Sequence, residues 1–211
     1  MSDDDRQKIR AHATMLAGEE AYNRREIDNA IEKWREAIRL DPSLARAHLN
    51  VGLALRSKGQ LDEAVKALRE AVRLDPKNGV AHADLGDALQ EAGDLDGAQS
   101  AYTSALALVP DSAPLRNNLG YVLVRKGDVD GAITQWREAT RLDPKYPAAH
   151  FNLAEGLENI GEVDEAIAAY ERFLALVPST TSGVEQVRTH LETLKTKKAN
   201  GKLNEKASPP S

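Results

Sequence analysis

ARAHLNVGLALRSKGQLDEAVKALREAVRLDPKN, residues 45–78, holds two amphipathic segments and two stop signals. Between Arg46 and Lys58, the apolar residues Leu49, Val51, Leu53, Ala54 and Leu55 fit one side of a helix. Gly59 follows, suited to the left-handed conformation just past a helix end. Leu61, Ala64, Val65, Leu68, Ala71 and Val72 then recur at steps of three and four, which predicts a second amphipathic helix after a short turn. Asp75-Pro76 ends it, because proline lacks the N–H the ladder needs and drives the preceding residue out of the α region. The unit is a helical hairpin, helix A then helix B.

The same unit recurs on both sides. Pro42, Pro76, Pro110, Pro144 and Pro178 stand 34 residues apart. A hairpin this small cannot cover its own apolar stripes, so each must stack on another. With the proline at repeat position 32, the units are 11–44, 45–78, 79–112, 113–146 and 147–180. Position 8 reads Gly18, Gly52, Gly86, Gly120 and Ala154, and position 20 is alanine throughout. Position 24 carries bulk: Trp34, Leu68, Tyr102, Trp136 and Tyr170. Small residues where backbones approach, with a large one beside them, are what close helix packing requires.

Residues 1–10 begin the first helix, with Ser2 or an aspartate as N-cap and the helix starting near Arg6. After Pro178, Val184, Val187, His190, Leu191 and Leu194 are spaced as one more amphipathic helix, a cap over 181–197 covering the last hairpin. Residues 198–211 lose periodicity, and the spacing predicts a disordered, lysine-bearing tail. One elongated domain is expected.

Composition narrows the function. Aromatics are 4% and the net charge is −5, which argues against a nucleic-acid surface. The chain has no cysteine, hence no thiolate metal site or disulfide framework, and no cofactor is expected. Met1-Ser2-Asp3-Asp4-Asp5 has no apolar run behind it, so neither a signal peptide nor a membrane span is predicted, and a cytoplasmic location is the default expectation. No HExxH, phosphate-cradling glycine loop or GxSxG occurs, and the acids follow the repeat as solvated faces, so no enzyme is expected.

The 34-residue period, with Leu-Gly at positions 7 and 8, Gly at 15, Ala at 20 and 27, an aromatic at 24 and Pro at 32, resembles the tetratricopeptide repeat. The wording of Ala47–Gly52, Ala81–Gly86 and Asn117–Gly120 is similar to bacterial repeats and to the arm of O-linked N-acetylglucosamine transferase. Position 4 departs, with Thr14, His48, His82, Arg116 and His150 in place of the usual tryptophan, and Arg25 replaces the turn glycine in the first unit. The resemblance implies an all-α, right-handed α-solenoid of five antiparallel helix-turn-helix units plus the C-terminal cap.

It also implies a concave face lined by the A helices. Position 6 there reads Leu16, Asn50, Asp84, Asn118 and Asn152. An amide offers donor and acceptor together, so Asn50, Asn118 and Asn152 can pair with an extended peptide backbone; alternatively they are tolerated polar residues. Leu49, Leu53, Tyr121 and Phe151 are candidate apolar anchors, with Tyr22 nearer the start, unless Phe151 and Leu49 tuck between A helices. Glu19, Asp84, Asp87, Glu91, Glu155 and Glu158 face Arg46, Arg56 and Arg125, which favours a protein or peptide partner with some basic character. Position 5 lacks the lysine by which some family members grip a C-terminal carboxylate. The histidines at position 4 lie a helix packing apart, about 10 Å, too far to share an ion, and are expected to pack. A binding module or assembly scaffold is the expected function, with self-assembly into a homo-oligomer as the alternative.

Overall fold

The computed structural model describes residues 1–201, and these fold into eleven α-helices. Contacts divide the chain into two compact units, Met1–Pro110 and the part from Asp111 onward, where a single elongated domain was expected. In a repeat array each hairpin touches mainly its neighbours, so no central core overrides such a division.

The first unit holds three hairpins: α1 (Asp3–Asn23) with α2 (Ile27–Leu40), α3 (Ala45–Ser57) with α4 (Leu61–Leu74), and α5 (Gly79–Glu91) with α6 (Leu95–Leu108). The second holds α7 (Ala113–Arg125) with α8 (Val129–Leu142), α9 (Pro147–Asn159) with α10 (Val163–Leu176), and the cap α11 (Val184–Ala199). The fold class is the all-helical, helix-turn-helix α-solenoid. Helix α1 begins three residues before Arg6, because Ser2 and Asp5 form a reciprocal capping box, Asp5 N to Ser2 Oγ at 3.0 Å and Ser2 N to Asp5 Oδ2 at 2.9 Å. Helix α11 continues through Lys198 and Ala199, two residues assigned to the tail from sequence. Asn200 and Gly201 end the helix, and 202–211 of that predicted tail lie outside the described residues.

The turns follow the glycines. Gly59, Gly93, Gly127 and Gly161 all have φ between 73° and 88°. In the first hairpin Arg25 takes the same conformation at φ 64°, the one non-glycine residue to do so among those described.

The core is a series of sockets. Position 20 is fully buried as Ala30, Ala64, Ala98, Ala132 and Ala166. A Cβ added at Gly18 would lie 2.5 Å from the indole of Trp34; Gly86 stands in the same relation to Tyr102 at 2.7 Å, and Gly120 to Trp136. These approaches let Trp34 Nε1 donate to the Met15 carbonyl at 3.2 Å and Trp136 Nε1 to the Asn117 carbonyl at 3.1 Å. A buried indole thereby satisfies its one donor.

Helix α11 packs on α10, burying Val184, Leu191 and Leu194. His190, placed in that apolar stripe by spacing, is exposed instead, because its ring finds Glu158 and Tyr170.

Candidate functional site

The A helices of the first unit are α1, α3 and α5. Asn50 donates from Nδ2 to Glu19 Oε1 at 3.4 Å, and Arg46 Nε binds the same oxygen at 2.8 Å. Together with Tyr22, Trp34 and Leu53 they line a cleft of about 350 Å³, in which the Tyr22 ring lies 5.7 Å from that of Trp34. Leu49 is half-buried and Leu16 exposed.

Farther along, Arg56 is shared among three carboxylates. Its Nη1 lies 3.0 Å from Asp87 and 3.8 Å from Asp84, and its Nε 3.5 Å from Glu91. Tyr102 donates to Asp87 at 2.6 Å. Asp84 Oδ2 is buried with no hydrogen-bond partner, and burial pushes this carboxyl up to about 6; Arg56 opposes the shift and Asp87 adds to it.

In the second unit the amides are linked. Asn152 Nδ2 donates to Asn117 Oδ1 at 2.8 Å, and Asn117 Nδ2 to Asn118 Oδ1 at 3.4 Å. Asn117 is buried and was not among the expected site residues. The Asn-Asn doublet at 117–118, followed by an asparagine 35 residues beyond the first, was the available signal. Tyr121 and Arg125 are exposed beside this relay. Phe151 is half-buried, its ring 5.2 Å from Phe173 and 6.1 Å from Tyr170.

Phe151, Glu155, Glu158, Tyr170, Val187 and His190 line a second cleft of about 640 Å³. Glu158 Oε2 accepts from Tyr170 at 3.0 Å and from His190 Nε2 at 2.8 Å. Burial raises the Tyr170 hydroxyl pKa, and the Glu158 and Glu155 charges raise it further. Burial and Glu158 likewise raise that of Glu155.

The position-4 histidines have a specific task. His48, His82 and His150 each direct Nε2 at the proline carbonyl six residues earlier, Pro42, Pro76 and Pro144, at 3.1, 3.1 and 3.0 Å. A carbonyl only accepts, so each Nε2 carries the proton. The inter-hairpin loop is tied to the following A helix, a role that general packing did not specify.

A chain of stacked helical hairpins at a 34-residue period defines a helical-repeat protein. Segments 15–79, 83–136 and 117–179 match the tetratricopeptide-repeat profile, and the chain belongs to that family, whose fold generally mediates protein–protein interaction. No curated protein sequence matches it significantly. Its fold is similar to that of MamA from Desulfovibrio magneticus RS-1, at 19% identity over 86% of this chain and 99% of that one, TM-score 0.76. It is similar also to YrrB, described as a tetratricopeptide-repeat protein with an unusual peptide-binding site, at 20% identity over 85% and 90%, TM-score 0.74. The pilF product of Pseudomonas aeruginosa matches at 20% identity over 94% and 88%, TM-score 0.75. None of the described helices is long and apolar enough to cross a membrane.

Proposed function

We propose that the chain is a non-catalytic protein-interaction module whose A-helix faces hold an extended segment or helix of a partner protein. The observation carrying this reading is the relay Asn152–Asn117–Asn118 beside the exposed Tyr121. The Asn152 to Asn117 bond uses one of the two N–H groups on that amide, so capacity for a peptide backbone is retained. In the first unit Asn50 plays the same part, with Leu49 and Leu53 beside it and Asp84 in the acidic group around Arg56. Tyr121 and Phe151 anchor side chains, and Arg125 meets an acidic group of the partner. The asparagines act here like the ladder of the O-linked N-acetylglucosamine transferase arm, and the repeat boundaries are those framed by the prolines. The acidic balance of the face favours a partner with basic character, met in the cytoplasm.

The test is affinity enrichment with the unmodified chain and with an Asn118→Ala/Asn152→Ala variant of matched helicity. A partner held by the first and lost by the second supports the face; equal recovery sinks it.

A second reading, self-assembly, is favoured by one observation. Ile9 and Leu16, seven residues apart on one side of α1, are 60% and 43% exposed. A solution mass that rises with concentration, and that Ile9→Asp/Leu16→Asp returns to the monomer value, would establish it; a constant monomer mass excludes it.

A further inference from the structure

The cleft where α9 meets α11 combines two aromatic rings with two carboxylates. Its volume of about 640 Å³ falls in the range of ligand pockets, roughly 300–1,000 Å³. Phe151 and Tyr170 meet edge to face at 6.1 Å. Both recorded bonds to Glu158 use Oε2, which leaves Oε1 to meet a further donor. Glu155, three residues earlier on α9, makes no hydrogen bond or ion pair with any described residue. The charged and titratable groups facing it are Glu158 from its own helix, Tyr170 from α10 and His190 from α11. Two carboxylates thus line this cleft, and the one basic side chain among the groups facing Glu155, His190, already bonds Glu158 Oε2.

We propose that this cleft receives an arginine side chain of a partner polypeptide. A guanidinium presents five donors in a flat fork, enough to meet Glu155 and Glu158 Oε1 together. It also stacks on aromatic rings, here that of the half-buried Phe151, since Tyr170 is buried, and it is less strongly hydrated than an ammonium, which sets it apart from lysine in this setting. Val187 offers apolar contact for the side-chain stem. The assignment rests on reading the chain as a protein-binding module; the cleft shares Phe151 with the proposed face but uses none of the three relay asparagines.

The experiment titrates the full chain with three capped pentapeptides, acetyl-Ala-Ala-X-Ala-Ala-amide, where X is arginine, citrulline or lysine. NMR shifts of the His190 and Tyr170 rings report binding. The arginine peptide should shift both rings saturably, with the citrulline and lysine peptides each about 10-fold weaker or more. Glu155→Gln should weaken the arginine peptide by a similar factor without lowering the thermal unfolding temperature, since Glu155 holds no ion pair to lose and its carboxylate is disfavoured by burial and by Glu158. Citrulline binding as tightly as arginine removes the charge recognition and overturns the proposal; lysine binding as tightly overturns the guanidinium assignment; an unaffected Glu155→Gln variant places the arginine elsewhere. None of these outcomes bears on partner release by Asn118→Ala/Asn152→Ala, so the two readings fail separately.

Discussion

Trp136 Nε1 donates to the main-chain carbonyl of Asn117 over 3.1 Å, and Gly120, three residues along the same helix, leaves the space in which the indole sits. The side chain of Asn117 meanwhile joins Asn118 to Asn152. Core socket and candidate binding relay therefore share one residue. In an unencumbered helix Gly→Ala gains about 1 kcal/mol. At Gly120 the new methyl would overlap the indole, and overpacking of this kind costs about 1–3 kcal/mol. Gly120→Ala should therefore destabilise the chain in urea unfolding despite its better helix propensity.

Arg25 gives the opposite expectation. It holds φ 64° at the turn between α1 and α2, where the equivalent residues of the other four hairpins are glycines. The left-handed conformation costs an L-residue about 1–2 kcal/mol, and glycine gives back part of this through its freer unfolded chain. Arg25→Gly should raise stability by roughly 0.5–1 kcal/mol, seen as a higher melting temperature.

Asp84 makes stability pH-dependent. Burial lifts its carboxyl from 3.8 to about 6, so between these values the folded chain keeps a proton that the unfolded chain has released. Stability should fall as pH rises from about 4 through about 6, then level off. Asp84→Asn should flatten that slope and add about 1–2 kcal/mol at neutral pH, a figure reduced for solvent screening. Urea midpoints at several pH values measure both effects.

The histidine ties should differ in worth. His150 is buried where it meets Pro144, and His48 only half so where it meets Pro42. Loss of a buried side chain with its hydrogen bond costs about 2–3 kcal/mol, against about 1 kcal/mol at the more open site. Chemical denaturation of His150→Ala and His48→Ala should rank them in that order.

The spacing of Pro42 to Pro178 and the Gly18/Trp34 type of pairing made the hairpins legible, because these packing rules act within one repeat. Arg25 was legible too, as an exception to the turn glycine. The site was less so. The bonds from Asn50 to Glu19 and from Asn152 to Asn117 join residues 31 and 35 apart, and which polar atoms meet across two A helices depends on rotamers that periodicity does not encode. The histidine ties could have been found, since each of the three follows its proline by six residues while Arg116 breaks the series. His190 was misplaced because its position fits the stripe of α11, yet a carboxylate and a phenol ring in reach outweigh apolar burial for an imidazole.

The A-helix face is the central claim, and site-specific photo-crosslinking tests it most directly. A photoreactive phenylalanine analogue replaces Tyr121 on α7 in one variant and exposed Arg137 on α8 in another, and partner proteins are captured from native extract. The account predicts a discrete crosslinked partner from position 121 and none from position 137, with the first product abolished by Asn118→Ala/Asn152→Ala. The same partner crosslinked only through position 137 would contradict it and move the working surface to the B helices.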